Sequence, residues 1–384
     1  MTRSAVIVGA GIGGLAAGLA LQQAGWSVRI LERAPSPREL GFALLLAPNA
    51  MHALRALGMA DVVLRGGVEI ARGEMRRLDG TILRSFDTSR VREALGEPAV
   101  AALRPVLHGA LLEAVGGSSL QLNSEVLSIA AHDDRVEATL ADGHTVAGDV
   151  LIGADGVASV VRRHVHPREE APRPSGLWAV RGVAHGVTDH LQGSNGAQYF
   201  GRGIEAGLGR VSDDAVYWYL SIPSDQMPPM PRTAASTVQH VIARFHEPFR
   251  AITAATRPDD MRLDDLFDRV PIDPWGHGRV TLLGDAAHPM LPHAGQGAAQ
   301  ALEDAVALGR ALGDASDIVG ALRRYEQQRA PRTRTIMQIA RRNARMGSIV
   351  NPFGIWLRDT AFRLVPQSII LQSLIALARP SRES

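Results

Sequence analysis

The chain has 384 residues, 46% of them hydrophobic and 21% charged, with a formal net charge of +2; that length permits two subdomains around a large core, and the near-neutral charge offers nucleic acid no broad attraction. It contains no cysteine, which excludes disulfides, thiolate metal sites and dithiol redox chemistry, and no metal site is expected. All 41 basic residues are arginine, so Schiff-base chemistry, a phosphate-loop lysine and a lysine general base are excluded as well.

Residues 5–8 are a short apolar run of buried-strand type, ending in Gly9-Ala10-Gly11-Ile12-Gly13-Gly14, which opens an Ala- and Leu-rich helical pattern closed by Gly25. Read as G-x-G-x-x-G, Gly9 makes the tight turn, Gly11 lets a pyrophosphate approach the backbone and Gly14 lets the helix close on the strand. The free N–H groups and the positive end of the helix dipole make that terminus an anion site. Residues 27–31 read as the second strand, and Glu32 stands at its tip, about 20 residues after the glycines, where ribose hydroxyls need a carboxylate. A glycine triplet alone is weak; strand, triplet, helix, strand and acid in that order point to a dinucleotide. Residues 1–21 have the outline of a secretion signal but spell this turn, so they read as mature protein, and no run reaches the ~18 apolar residues of a spanning helix. A cytoplasmic enzyme is the expectation.

Residues 35–46 leave the second strand through a proline-rich turn, with Arg38 and Gly41 where the chain can pass back over a cofactor. Residues 49–57 are helical by spacing and read as packing. Residues 64–86 alternate strand-like segments with turns at Gly66-Gly67 and Asp79-Gly80. Arg104 opens a helix running to Val115, where it holds a phosphate or flavin side chain or else simply caps the surface. Residues 120–127 and 135–140 look like strands, the second turning at Asp142-Gly143. A third apolar run, 149–152, ends in Gly153-Ala154-Asp155-Gly156 ahead of Ser159-Val160-Val161-Arg162-Arg163. Asp155 there can accept hydrogen bonds from cofactor hydroxyls or fix a neighbouring loop.

Residues 172–222 are strand-rich, with 178–181, 197–200 and 216–220 as strands, and 223–231 break the pattern; 237–245 and 250–256 read as helices. These segments make a second, largely antiparallel domain inserted into the first, able to line a pocket. The chain then returns through an apolar strand at 279–283 to Gly284-Asp285-Ala286-Ala287-His288-Pro289 and Pro292-His293-Ala294-Gly295-Gln296-Gly297-Ala298-Ala299, entering a helix that runs to Leu312. Gly295 and Gly297 keep the backbone bare at the helix start, where N–H groups can meet an anion. Residues 323–345 form a basic helix with its charges spread into solvent. The tail, 353–377 broken at Pro366, carries apolar residues at helical spacing; it reads as packing on its own protein, with a membrane surface, a dimer contact or an apolar ligand entrance as the other readings.

Three motifs, GAGIGG, GADGVASVVRR and GDAAHPMLPHAGQGAAQALEDA, resemble in content and order the single-component (class A) FAD-dependent aromatic hydroxylases, the group of 4-hydroxybenzoate, salicylate and 6-hydroxynicotinate monooxygenases. The likeness covers the chain to about Arg332, and the size and the WLRDTAFRLVP tail are also similar to quinolone-modifying members. The resemblance implies an α/β fold: a Rossmann-like FAD-binding domain (1–65, 101–171 and 272–330), an inserted mostly antiparallel substrate domain (66–100 and 172–271) and C-terminal helices (331–384). It implies one non-covalent FAD, with Gly9, Gly11, Gly13 and Gly14 at the pyrophosphate, Glu32 at the ribose, Arg33 near the adenine and the Val126 backbone at its edge. Arg104 and Asp285 fall at the ribityl and phosphate region, the N–H groups of Gly297 and Ala298 at the isoalloxazine, and Asp155 at a position tied to both FAD and nicotinamide.

With a single dinucleotide fingerprint, NADH or NADPH has no domain of its own and visits transiently. The implied cycle is hydride transfer to FAD, oxygen capture at flavin C4a, and delivery of the terminal oxygen of that hydroperoxide to an electron-rich ring carbon. Pro292 and His293 fall near C4a by the same likeness, and His293, Tyr199, Tyr217 and Tyr219 are the titratable candidates for substrate deprotonation. The expected partners are an aromatic small molecule and O2, with no nucleic acid, no membrane contact, and a monomer or homodimer. The rivals are a flavin oxidase of the same fold, disfavoured by the missing lysine, and a non-catalytic flavin-binding protein.

Overall fold

A computed structural model of the chain describes residues 2–37, 42–191 and 195–381, so Arg38 and Gly41 lie outside the described residues. The first unit is β1 (Ser4–Val8), α1 (Ile12–Gln23) and β2 (Ser27–Leu31), the strands paired in parallel with Val8 opposite Leu31. Nine of the twelve residues of α1 are buried, which is what a helix wedged between a sheet and a second helix requires. Then follow β3 (Ala43–Leu46), α2 (Pro48–Ala56) and α3 (Ala60–Gly66). The strand expected from residue 64 is therefore helical at first: Val63 is fully buried and Gly66 closes a helix where a turn between strands was expected.

Next come β4 (Gly67–Glu69), β5 (Arg72–Arg77), β6 (Ile82–Asp87), α4 (Ser89–Leu95), β7 (Val100–Leu103) and α5 (Arg104–Val115). The single strand expected over 120–127 is two: β8 (Leu120–Gln121) joins the parallel sheet beside β2, and β9 (Val126–Ala131) belongs to another sheet. Between them the chain turns through Asn123, the one non-glycine residue with positive φ among those described, a conformation asparagine tolerates better than most. After β10 (Val136–Leu140), β11 (Thr145–Gly148), β12 (Val150–Gly153) and α6 (Val160–Val165), the inserted region runs β13 (Arg173–His185), β14 (Gly196–Phe200), β15 (Glu205–Arg210), β16 (Ala215–Pro223), α7 (Ala234–Val241), α8 (Glu247–Ala254) and β17 (Met261–Asp268). The chain returns through β18 (Val280–Leu282) to α9 (Gly297–Gly313), α10 (Ile318–Gly347), α11 (Pro352–Leu364) and α12 (Gln367–Ala378).

A parallel sheet of order β18-β12-β1-β2-β8 is flanked by the antiparallel sheet β11-β10-β9 and by β3-β7-β4. The inserted sheet has order β17-β13-β16-β15-β14-β5-β6, antiparallel except where β14 meets β5. Small residues fix how α1 and α9 meet: a Cβ on Gly309 would lie 2.9 Å from the Cβ of Ala20, and one on Gly13 3.3 Å from the Cβ of Ala301. One face of the inserted sheet carries Val180, Trp218, Leu220 and Ile222 into a core closed by Phe245, Phe249 and Ile252 from α8 and the turn before it. The other face looks toward α10 and the loop before α9, through Leu177, Ala179, Leu291, Ala340 and Ala344. α10 runs unbroken for 30 residues through Pro331, so no structural division falls at 330/331: the buried stripe of Ala321, Leu322, Tyr325, Ile336 and Ala340 continues on both sides of the proline. Among the described residues no single helix is long and apolar enough to cross a membrane.

Candidate active site

The nucleotide turn separates its glycines by job. A Cβ on Gly14 would overlap the carbonyl oxygen of Gly9, and one on Gly9, which has φ +103°, would lie 2.9 Å from the Ala154 carbonyl carbon. Both are needed for the chain to pass itself, and the second contact packs the GADG turn beneath the first motif. Gly11 is different. It has φ −72°, open to any residue, and a Cβ there meets nothing within 4 Å, so its bare backbone serves something other than protein packing.

Glu32 reaches back from the tip of β2, its two oxygens accepting the backbone N–H groups of Ala10 and Ala34, each at 2.9 Å. Each oxygen keeps a further lone pair for a hydroxyl. Arg33 follows it, and Val126 begins β9 close to the same tip, where Ser124 N donates to Glu32 O at 2.8 Å. The buried His108 of α5 contacts the Ala10 carbonyl through Nε2 at 2.9 Å, a brace on the turn that the sequence did not reveal.

At the other end, Asp285 keeps an exposed side chain, yet burial pushes its carboxyl above the usual range, with His288 and Arg104 opposing the shift. Burial lowers Arg104, the first residue of α5, against the pull of Asp285. A Cβ on Gly297 would stand 4.0 Å from Asp285 Oδ1, so Arg104, Asp285 and the N-terminus of α9, with Gly297 and Ala298, lie together.

That loop is held from behind by buried charge. Asp304 of α9 accepts from Gly284 N at 3.0 Å, meets His288 Nε2 at 2.5 Å and accepts from Arg329 Nε at 2.6 Å; these partners pull its carboxyl down to about 2 in spite of complete burial. Arg329 also donates to Glu303 at 2.6 Å. From the middle motif, fully buried Arg162 donates to the carbonyls of Ala286 and Ala287 at 3.0 and 2.9 Å while Glu169 holds its other edge. Asp155 fixes a neighbouring helix: its oxygens accept from Ser159 Oγ and from Val160 N and Val161 N at the start of α6. Glu303, Asp304 and Arg162 all stand inside the quoted motifs, and that membership is the signal by which they were findable.

Facing the loop, the inserted sheet presents Arg181, Tyr217, Tyr219 and Ser221. His293 Nε2 and Ser221 Oγ are 3.0 Å apart, and Asn343 Nδ2 of α10 donates to His293 O at 3.0 Å. Burial, with help from Arg181, lowers His293 to about 4, and its Nδ1 is buried with no partner among the described residues. Its neighbour Pro292 is exposed. Tyr217 stacks near Tyr219, ring centroids 6.3 Å apart, and burial raises both phenols. Tyr219 donates to Glu205 Oε1 at 3.1 Å, Gln198 Nε2 to the same oxygen at 2.8 Å, and burial raises Glu205 to about 7. Tyr199 is corrected: it is 2% exposed in the core on the opposite face, its hydroxyl 2.9 Å from His246 Nε2. Strand alternation puts it one residue out of phase with the site. Among the described residues no cluster of His, Asp or Glu is arranged to hold a metal.

A family described as "FAD binding domain" matches residues 2–340. The aurachin C monooxygenase/isomerase of Stigmatella aurantiaca is 33% identical over 360 residues, 94% of each chain, and 3-hydroxybenzoate 6-hydroxylase 1 of Aquipseudomonas alcaligenes is 36% identical over 352 residues, 89% of this chain and 88% of that one. The crystal structure of Klebsiella pneumoniae HpxO complexed with FAD and uric acid superposes with a TM-score of 0.91 at 27% identity, covering 98% of this chain and 96% of that one. With a bare-backbone nucleotide turn after β1 and the N-terminus of α9 beside Asp285, the chain belongs to the FAD-binding-domain family and, within it, to the class A aromatic hydroxylases, as an FAD-dependent flavoprotein monooxygenase.

Proposed function

We propose that this chain takes electrons from NADH or NADPH and hydroxylates an aromatic or heteroaromatic ring held between the loop 292–297 and the sheet face of Arg181, Tyr217, Tyr219 and Ser221. FAD would lie with its pyrophosphate over Gly9, Gly11, Gly13 and Gly14, its ribose at Glu32, its adenine between Arg33 and Val126, its ribityl chain by Arg104 and Asp285, and its ring at the N–H groups of Gly297 and Ala298. The redox chemistry, hydride acceptance and oxygen activation, is what FAD supplies when bound. The chain's own residues orient the ring, exclude water and manage the substrate proton.

The observation that carries this reading is the 3.0 Å contact of His293 with Ser221, which joins the cofactor loop to the inserted sheet. A ring seated there touches both. With its pKa lowered to about 4, His293 is neutral at pH 7 and accepts a hydrogen bond without keeping the proton. Glu205, at about 7 and hydrogen-bonded to Tyr219, is the group whose proton affinity matches a phenolic substrate's transfer at neutral pH. Relatives named for a hydroxybenzoate, urate, a hydroxynicotinate and an alkylquinolone favour a planar ring carrying an ionisable oxygen. The test is anaerobic reduction of the bound flavin by NADH and by NADPH, with and without phenols, hydroxypyridines and quinolones, followed by aerobic assay of product against hydrogen peroxide. The expected result is faster reduction and hydroxylated product with at least one class; unchanged reduction by every aromatic sinks the proposal.

A further inference from the structure

We propose that α11 is a docking surface for an anionic phospholipid membrane. The helix carries its amphipathic pattern inside out. Its polar pair faces the protein: Asp359 Oδ2 accepts from Arg77 Nε at 2.7 Å, and Arg358, 5% exposed, donates to the Gly201 carbonyl at 3.2 Å and lies over the Phe200 ring. Phe362 packs on the same ring, centroids 5.0 Å apart. Toward solvent stand Phe353, Trp356, Leu357 and Leu364, 68%, 57%, 54% and 74% exposed. Steps of three, four and seven residues put these side chains on one side of a 3.6-residue helix. A surface helix of a globular protein carries the reverse arrangement. Val350 and Ile369 extend the exposed apolar residues along the chain on either side.

Charge selects the occupant. From 341 to 381 the chain has six arginines and one acid, and that acid, Asp359, is buried and already paired with Arg77 and Arg358. Arg341 is held by Asp268. Arg342, Arg345, Arg363 and Arg379 are exposed, with no ion pair among the described residues, and Arg363 lies two turns along the helix from Trp356. Aromatic and leucine side chains between unpaired arginines match a headgroup layer, the rings entering the acyl boundary and the guanidiniums meeting phosphates. A second copy of the chain seated on this face would bring these arginines toward their own kind. The 13 residues of α11 span only ~20 Å, so the helix lies in the plane of the surface. The sequence expectation of no membrane contact is thereby revised for α11 and the first turn of α12, beyond which Leu371, Leu374 and Ile375 pack near Val91 and Leu95. The docked face is bolted to β14 and its following turn, which sets the substrate sheet beside the lipid.

The test uses the FAD-loaded full chain with vesicles of phosphatidylglycerol and phosphatidylcholine, against phosphatidylcholine alone. Co-sedimentation with the anionic vesicles, its loss in about 0.5 M salt, and a blue shift of tryptophan emission that Trp356→Phe abolishes are expected. Trp356→Ser combined with Leu357→Ser lowers the partition coefficient at least about tenfold, and Arg363→Gln with Arg379→Gln lowers it several-fold for anionic vesicles only. Flavin content stays at the wild-type level in both, since all four side chains are exposed. No binding to anionic vesicles, or binding that the Ser pair leaves unchanged, overturns the proposal. A dimer in light scattering that the Ser pair dissolves also overturns it, assigning the face to a second copy.

Discussion

Gly11→Ala separates a glycine kept for the cofactor from one kept for the fold. At Gly11 the backbone has φ −72° and a Cβ would meet no protein atom within 4 Å. Losing glycine at the helix N-cap costs roughly 0.5–1 kcal/mol, and stiffening the unfolded chain returns about 0.4–1 kcal/mol, so apoprotein stability should move by less than about 1 kcal/mol. A phosphate oxygen in hydrogen-bonding range of these N–H groups, however, cannot come within ~3.4 Å of a methyl carbon without strain. Losing one hydrogen bond to that charged group costs about 1.5–3 kcal/mol, a fall in FAD affinity of about 10- to 100-fold. Gly14→Ala is the control, because its Cβ overlaps the Gly9 carbonyl and the apoprotein itself must give way, by about 1–3 kcal/mol or more. Urea unfolding of both apoproteins and FAD titration by flavin fluorescence provide the comparison. Wild-type FAD affinity in Gly11→Ala, or equal destabilisation by the two substitutions, would refute the reasoning.

Arg329→Met strands the buried carboxylates of Glu303 and Asp304, which it now meets at 2.6 Å each; a loss of about 3–5 kcal/mol is expected in urea unfolding, and a loss under 1 kcal/mol would show the network to be incidental. Glu205, raised from 4.5 to about 7, binds its proton more tightly folded than unfolded. Its contribution is therefore complete below pH 4.5 and lost as pH rises through 7, about 3 kcal/mol in all, and Glu205→Gln should flatten the fall in stability between pH 5 and pH 8 seen by denaturant titration. Tyr199→Phe removes a hydrogen bond to His246 on the far face and should cost about 1 kcal/mol of stability while leaving kcat/KM for hydroxylation unchanged. Tyr217→Phe should do the reverse in the same pair of assays.

The sequence carried the parallel half of the fold well because each of its signals is local. The glycine turn, the helix of 104–115, the turn at Asp142-Gly143 and the break at Pro366 are set by residues whose conformational limits hold in any context. Errors fell where tertiary pairing decides. Residues 120–127 are apolar enough for one strand, yet Asn123 turns the chain between two different sheets. By contrast, residues 323–345 read as one helix straight through Pro331, as α10 is, and only the domain boundary drawn at 330/331 fails, because the buried stripe runs on both sides of the proline. At the site, Tyr199 was picked with Tyr217 and Tyr219 from residue type alone. Strand phase, which assigns its face, needs the register with β15, where Tyr199 pairs with Ala206 and both look inward to the hydrophobic core.

The same contrast explains why three distant motifs read as one signature. The first and third contain the residues proposed to meet the cofactor, Gly11, Asp285 and Gly297, and all three contain residues that fix the motifs in place: Gly9 against Ala154, Arg162 on the carbonyls of Ala286 and Ala287, Asp304 on Gly284 and His288. Buried ions of this kind add little net stability over an apolar core, but they tolerate few geometries, because an arginine that leaves its carbonyls or carboxylates has nowhere else to be solvated. The loop 284–297 buries Ala286, Ala287 and Leu291 in two hydrophobic clusters. Its position is set further by directional bonds from behind, in which the groups proposed to meet the flavin, Asp285 and the N–H groups of Gly297 and Ala298, take no part.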